Sequence, residues 1–576
     1  MVSRSARRKP TLEGPPRWRF ASVLGVLLLA PVAIFLRALD LQIINSEFLH
    51  SEAQARHMRT VEMQAHRGVI TDRHGEPLAV SSPVQSAWAQ PAKLLDDGPA
   101  LEEVAGELPR SAEELRTYLE ARRDREFVYL ERHLAPDVAD RIARMEAPGV
   151  HLKQEFQRFY PAGEVAAQPV GFTDIDGRGL AGAELAFNEV LSGRSGAKRV
   201  IQDLHGRTVE GVGLLREPQP GEDVALALDR HIQYIAYREL KRAVKRHSAA
   251  SGSAVVLDAT TGEVLAMASQ PSFNPHRRSG VDPEQRRNRV VNWTQEPGSV
   301  IKPFTVAAAL SSDAIRKGQV FETAPGTLRV GGHTVRDVVD HGTLDVAGVI
   351  QKSSNVGAAK IALDTEPRAL WETLQAFGFG ARTRSGLVEE SSGVFLPAPP
   401  QGEVQRATLA YGYGIAATPL QLARAYAALA RGGVIRPTSI RALEAPPEGR
   451  RILDAGLARR LRGMLEGVVA PDGTGERAAI PGYRVAGKTG TVHKSGPGGY
   501  AEDDYIASFV GFVPASDPRL VMAVTIDEPR SEAYYGGQVA APVFSRVMSE
   551  TLRILNIPPD DLPRREASAV AKGEAP

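Results

Sequence analysis

The amino-acid sequence predicts an α+β protein standing behind a membrane anchor, and three observations carry that expectation. Near the N-terminus a basic segment precedes an uninterrupted apolar run, Phe20 to Leu36. From Ala225 onward, period-2 strand patterns lie at both ends of a long region, with helical periodicity between them. Strands so separated argue for one domain whose antiparallel sheet, flanked by helices, is completed by distant segments. Between anchor and domain, residues 40–224 mix short strands, Gly-rich turns and charged helical patterns, as an elongated mixed module would.

Arg4, Arg7, Arg8, Lys9, Arg17 and Arg19 precede the apolar run, and Arg37 closes it. At ~1.5 Å per residue the run is roughly 25 Å long, a little short of a bilayer core. Ala38, Leu39 and Leu41 extend it if Arg37 snorkels to the interface. Basic residues on that side assign residues 1–19 to a cytoplasmic tail, 20–39 to the span and the rest to the far side. A cleaved signal peptide is the competing reading, but the run is long for one and no small-x-small site follows it cleanly. No later stretch is long and apolar enough to span, so a single pass is expected. The 576 residues carry a net charge of +2, with 24% charged and 43% hydrophobic residues, a balance that suits several globular domains. No basic stripe interleaved with aromatics appears, so nucleic acid is not an expected partner. Zero cysteines exclude disulfides, thiolate catalysis and Cys-ligated metal.

In order along the chain, residues 40–66 read as a linker with helical character. Arg67 to Ser81 reads as two short strands around an Asp72-to-Gly75 turn. Residues 90–150 alternate charge with Leu and Ala at helical spacing, and a mixed stretch with turns at Asp176-Gly177 and Ser192-Gly193 comes next. No catalytic constellation occurs in 40–224, which reads as a spacer or docking module. Residues 225–556 form the main domain. Asp229 can cap a helix to about His247, and a hairpin comes after it, 253–258 and 263–268 around Thr260-Thr261-Gly262. Helices are expected over 299–311, 345–364, 416–431 and 454–469. Strands are expected from Tyr483 to Val492, Tyr505 to Val513 and Leu520 to Asp527, then a helix from Ala541 to Leu555. Residues 557–576, rich in Pro, Asp, Glu and Ala, read as a disordered tail.

Within that domain the organising stretch is Glu296-Pro297-Gly298-Ser299-Val300-Ile301-Lys302-Pro303-Phe304. Ser299 and Lys302 are three apart, so they share a helix face one turn from each other. Pro303 is tolerable because a first-turn proline forfeits no internal hydrogen bond. A serine at a helix N-terminus sits where backbone N–H groups favour negative charge. A buried lysine beside it can lose its proton and act as base. Ser195-Gly196-Ala197-Lys198 has the same spacing in a Gly-rich loop without a helical run, so the pattern needs company. Two stretches supply it: Ser353-Ser354-Asn355, a polar knot between helical runs, and Lys488-Thr489-Gly490-Thr491, on a strand beginning at Tyr483. Alone, the former is a helix cap or turn and the latter a strand end. Ser272-Phe273-Asn274 repeats the Ser-x-Asn spacing in a Pro-flanked turn.

A decoy overlaps the last stretch. Gly482 to Thr489 matches the phosphate-loop pattern G-x-x-x-x-G-K-[ST]. Such a loop must follow a buried strand and open a helix. Here Glu476 to Pro481 is a poor buried strand, and Ser495-Gly496-Pro497-Gly498-Gly499 cannot be a helix. The nucleotide reading is set aside.

The order Ser-x-x-Lys, Ser-x-Asn, Lys-Thr-Gly is that of serine β-lactamases and penicillin-binding proteins. With Arg67-Gly68-x-Ile70-x-Asp72-Arg73-x-Gly75, Thr261 to Met267, Tyr411-Gly412-Tyr413-Gly414 and Tyr535-Gly536-Gly537, the chain resembles a class B penicillin-binding protein. That family comprises monofunctional peptidoglycan D,D-transpeptidases without a glycosyltransferase segment, and the resemblance is strongest to the cell-division (septal) type. It implies the β-lactamase/transpeptidase fold over 225–556 and a pedestal- or dimerisation-like module over 40–224. It implies Ser299 as nucleophile, Lys302 as its base, Ser353 as proton relay and Asn355 as the residue holding Lys302 and the substrate amide. Ser354 departs from many relatives, which have another polar residue there, and its side chain is expected to point away from the cleft. Lys488, Thr489, Gly490 and Thr491 would bind the substrate carboxylate, and the backbone N–H groups of Ser299 and Thr491 would form the oxyanion hole. Stem peptides ending in D-Ala-D-Ala, β-lactam antibiotics and other membrane division proteins are the implied partners. The implied location is the bacterial inner membrane with a periplasmic catalytic domain. No metal or organic cofactor is implied, and the 13 histidines show no H-E-x-x-H spacing. A D,D-carboxypeptidase or β-lactamase-type hydrolase would use the same motifs, and an idle division scaffold is the rival from another class.

Overall fold

The computed structural model describes residues 17–40, 43, 58–202, 208–316, 318–496 and 499–561. The basic tail up to residue 16, most of the 40–57 linker and residues 562–576 of the expected disordered tail lie outside the described residues. The start of that tail is corrected, since Ile557 is buried and its carbonyl accepts the Tyr483 hydroxyl, and Asp560 accepts the N–H groups of Arg484 and Ser516. Residues Arg17–Leu39 form one helix, 23 residues or roughly 34 Å long. Its apolar side chains stand exposed, Leu29 and Ile34 at 70%, and among the described residues it is the helix long and apolar enough to cross a membrane.

Two compact units make up the chain, the first comprising Met1–Ala65 and Arg194–Gln219. Strands Met58–Met63, Gly196–Gln202 and Thr208–Arg216 form its antiparallel sheet, with 196–202 in the centre. The expected helical character of 40–66 is therefore corrected at 58–63. Met58–Met63 contains Val61 and Thr60, and ladder pairing with 196–201 outweighs its weak helical spacing. The decoy Ser195-to-Lys198 runs into the central strand, where residues three apart do not share a face.

The second unit is His66–Gly193 with Pro220–Pro576. Its first part is built on the 13-residue strand Pro77–Ala89, which pairs with Val128–Leu134 and Val150–Phe159. Four helices between Pro91 and Met145 pack against it around Leu94, Leu101, Leu115, Leu119 and Leu130. The helical reading of 90–150 missed strand Val128–Leu134, where Val128, Leu130 and Leu134 are buried at even spacing, the period of a strand. A buried ion network holds this part together. Glu184 is fully buried and accepts Arg67 Nε at 2.7 Å and Arg158 Nε at 2.6 Å. Asp72 accepts the N–H groups of His74 and Glu76 and, from further along the chain, that of Arg230.

The remainder is the predicted α+β domain. Strands β1 (Ser251–Asp258), β2 (Val264–Gln270), β3 (Ala486–Gly496), β4 (Gly499–Val513) and β5 (Leu520–Asp527) form one antiparallel sheet in the order β2-β1-β5-β4-β3. Both faces are covered, so β5 is buried at every residue. Val256, Met522 and Val524 face helices α1 (Arg230–Arg246) and α7 (Ala541–Ile554). Val255, Val521 and Ala523 face a helical lobe comprising α2 (Lys302–Ser311), α3 (Val346–Gln351), α4 (Asn355–Asp364), α5 (Pro419–Ala430) and α6 (Ala455–Val469). The helix expected over 345–364 is two, broken at Lys352–Ser354. Helices Pro367–Ala376 and Glu403–Leu409, and the strand pairs within 320–345, were not anticipated.

Glu184→Gln would leave two buried guanidiniums facing a neutral amide, and the expected loss of stability is about 3–5 kcal/mol. Thermal unfolding of the full chain in detergent checks this, and an unchanged midpoint would contradict the account of the network.

Candidate active site

The turn that carries the serine is short and tightly confined. Gly298–Ile301 is one turn of 3-10 helix that runs directly into α2, with Pro303 in the first turn. Gly298 takes a left-handed φ of +57°, and a Cβ there would lie 2.2 Å from Val492 Cγ1 on β3. From the other side, a Cβ on Gly490 would lie 3.1 Å from Val300 Cγ1 and 3.2 Å from the Pro297 carbonyl oxygen. Two side-chain-free positions thus let the turn lie against β3, an edge strand of the sheet. Phe304 anchors α2 below, fully buried against Phe377, Phe379 and Tyr426.

Ser299 lines a cavity of about 1110 Å³, together with Ser353, Asn355, Thr489 and Thr491. Lys302 and Lys488 are fully buried beneath them. Lys302 Nζ donates to Asn355 Oδ1 at 2.8 Å and to the Ser353 carbonyl, and lies 3.2 Å from Ser353 Oγ. Lys488 Nζ donates to the same Ser353 Oγ at 2.8 Å and to the Thr489 carbonyl at 3.2 Å. Two amines from segments far apart in sequence therefore share one hydroxyl. Burial pushes Lys302 down to about 7, with the Asp337 carboxylate pulling the other way. Burial, and then the charge of Lys302, push Lys488 well below its ordinary value. Such an arrangement stores a neutral amine next to hydroxyl groups, the condition for general-base activation of a serine.

Of the predicted site residues, Ser299, Lys302, Ser353, Asn355, Lys488, Thr489 and Thr491 are gathered at this one cleft. Gly490 lies on the same strand against the 297–301 turn, and its geometry gives it a packing part. Thr491 Oγ1 accepts the Gly536 N–H at 3.0 Å, and Thr489 Oγ1 meets Thr474 Oγ1 at 2.8 Å. Ser354 points away from the cleft, as expected: it is buried, donates to Asp337 Oδ2 and accepts the Gly357 N–H as the cap of α4. The phosphate-loop decoy lies where β3 begins, and the chain continues as strand instead of opening a helix.

Sequence reasoning missed Asp337. Its carboxylate accepts the N–H groups of Asn355 and Val356 and the Ser354 hydroxyl. It thereby fixes the start of α4 and the left-handed backbone of Ser353, φ +63°. The Arg336-Asp337 pair sits in a short hairpin region with no periodic signal, so only the distance in space marks it. Glu296, which opens the nucleophile's stretch, has a part that spacing does not reveal. It accepts the Gly414 N–H and the Tyr500 hydroxyl, joining two walls of the cleft. Among the described residues no group of three or more His, Asp or Glu side chains is placed to hold a metal.

Sheet, lobe and cleft together define an active-site-serine acyl-transfer enzyme. Comparison with known proteins bears on which one. The family model for the penicillin-binding protein transpeptidase domain matches residues 252–549, and that for the penicillin-binding protein dimerisation domain matches 62–226. Peptidoglycan D,D-transpeptidase FtsI of Escherichia coli is 42% identical over 95% of this chain and 93% of its own length. The probable peptidoglycan D,D-transpeptidase PbpC of Pseudomonas aeruginosa is 41% identical over 96% of this chain and 98% of its own. Penicillin-binding protein 3 of Mycobacterium tuberculosis, solved with aztreonam, superposes with a TM-score of 0.67 at 30% identity, covering 87% of this chain and 98% of that one. The chain belongs to the peptidoglycan D,D-transpeptidases of the penicillin-binding protein family.

Gly490→Ala is expected to displace the 297–301 turn by a few tenths of an ångström. The expected loss of stability is about 1–3 kcal/mol, read as a lower unfolding midpoint, and a midpoint equal to wild type would remove the close-approach argument.

Proposed function

We propose that the chain cross-links peptidoglycan stem peptides during septal wall synthesis, through an acyl-enzyme on Ser299. The observation that carries this reading is the convergence of Lys302 and Lys488 on the Ser353 hydroxyl, in the cleft that Ser299 lines. Ser299 Oγ attacks the carbonyl of the penultimate D-Ala while Lys302 takes its proton. Burial brings Lys302 down to about 7, so the neutral amine that can take this proton is within reach near neutral pH. The oxyanion that forms accepts the backbone N–H groups of Ser299 and Thr491, worth ~3–4 kcal/mol per donor in other enzymes. As the C–N bond breaks, the departing D-Ala amine receives a proton through Ser353. Lys488, Thr489 and Thr491 hold the terminal carboxylate, Gly490 lets the strand approach, and Asn355 fixes Lys302. An amine from a second stem peptide then attacks the ester, forming the cross-link and freeing Ser299.

β-Lactams acylate the same serine as mimics of the D-Ala-D-Ala terminus. Support comes from the mycobacterial relatives solved with aztreonam and ampicillin. The apolar helix Arg17–Leu39 anchors the chain in the bacterial cytoplasmic membrane, with the N-terminus inside and residues 225–556 as the periplasmic transpeptidase domain. Residues 40–224 serve as a non-catalytic module that positions the domain and meets other division proteins.

Two measurements test the reading. Labelled penicillin should bind the wild-type chain covalently and Ser299→Ala not at all, whereas an unlabelled wild type would favour a scaffold. Acylation by penicillin should quicken as pH rises through about 7, because the base works only when unprotonated and burial has brought Lys302 down to that range. A rate flat from pH 6 to 8, a window of about one unit either side of that value, would take the base role away from Lys302.

A further inference from the structure

In the helical lobe, three segments bring arginines around a second cavity of about 300 Å³. The loop after helix Pro367–Ala376 supplies Arg382 and Arg384, α5 supplies Arg424, and the short strand Arg450–Arg451 supplies Arg450. Four guanidiniums face one carboxylate there, Glu448. None of its lining residues lines the catalytic cleft.

These cations are not spent on one another's neighbours. Among the described residues, none of the four forms an ion pair within 4.0 Å. Arg424 Nε donates to the Arg436 carbonyl at 2.7 Å and Arg450 Nη2 to the Ala376 carbonyl at 3.4 Å. The terminal nitrogens of Arg424 have no hydrogen-bond partner among the described residues, nor do the guanidiniums of Arg382 and Arg384. The nearby carboxylate of Glu390 is already taken, accepting the N–H groups of Thr383 and Ser385 and the Ser385 hydroxyl. Burial lowers the Arg424 guanidinium, Glu390 offsets part of this, and Arg384 and Arg450 add repulsion.

The backbone is shaped to hold this arrangement. Arg384 adopts a left-handed φ of +66°, a costly conformation for a residue with a side chain. A Cβ on Gly378 would lie 2.9 Å from Arg424 Nη1, so the glycine leaves room for that guanidinium. Fixing like charges around a cavity costs free energy that an anion would return. A carboxylate would neutralise one of them. A phosphate group carries about −1.5 to −2 at pH 7 and three acceptor oxygens, which suits donors arriving from three directions.

We propose that the pocket formed by Arg382, Arg384, Arg424 and Arg450 binds a phosphate group, borne either by a lipid headgroup or by a free phosphate or diphosphate. Arg384 and Arg450 are exposed, so replacing them perturbs the pocket without opening the core.

The test is isothermal titration of the full chain in detergent with sodium pyrophosphate and, separately, with a soluble short-chain phosphatidylglycerol. Wild type should bind at least one of them saturably at one site, and Arg384→Gln/Arg450→Gln should bind it about tenfold more weakly or worse, ~1.4 kcal/mol. Pyrophosphate binding alone assigns the free anion, and lipid binding alone assigns the headgroup. Penicillin labelling and the unfolding midpoint of the variant should match wild type. If the midpoint falls, Arg382→Gln, also exposed, replaces it under the same criterion of weakened binding. Failure of both ligands to saturate on wild type, or equal binding by wild type and variant, overturns the proposal and leaves the transpeptidase reading untouched.

Discussion

One hydroxyl between two buried amines is the constraint on which the catalytic half depends. Ser353 Oγ can be reached by Lys302 and Lys488 only if α2, the break before α4 and strand β3 all keep their places. Two ammonium groups in that space would repel in a medium of low polarity, so the protons belong to the pair and not to either lysine. The backbone of Ser353 is held in the left-handed region by the start of α4. Asp337 and the Ser354 side chain satisfy the first N–H groups of that helix, so a conformation that is locally costly is fixed by a helix cap.

The sheet supplies rigidity to that constraint. Antiparallel sheets often leave one face to solvent, but here α1 and α7 cover one face and the helical lobe the other. β3 is one of the two edge strands, and it carries Thr489 and Thr491 into the cleft. Because Gly298 and Gly490 lack side chains, the nucleophile's turn comes within van der Waals reach of the strand. Position at the site is thus set by backbone contact between regular elements, which moves less than a loop would.

How much of the molecule is legible in the sequence depends on how far each signal extends. Ser299 and Lys302 are legible because three residues of spacing on a helix is a local fact, and Ser353, Asn355 and Lys488 because they recur with them in a known order. The sheet strands are legible because β1, β2 and β5 each carry an unbroken apolar run, Ala254 to Leu257, Val264 to Ala268 and Leu520 to Val524. Asp337 is not, since a carboxylate that caps a helix from a separate hairpin leaves no pattern in its own segment. The same holds for Glu184, whose partners Arg67 and Arg158 lie far away in sequence. Strand Met58–Met63 reads wrongly because its partner strand lies more than a hundred residues on, and a window of local periodicity cannot see it.

The strand order also governs when the enzyme can exist at all. β1 lies between β2, its immediate successor, and β5, which is made near the end of the chain. A growing polypeptide would hold the nucleophile's turn long before the segment bearing the second lysine is made. Until then that turn has no strand to lie against. The site is therefore complete only once β3 has been made, and a product truncated before it would carry the serine without the lysine that shares its cleft.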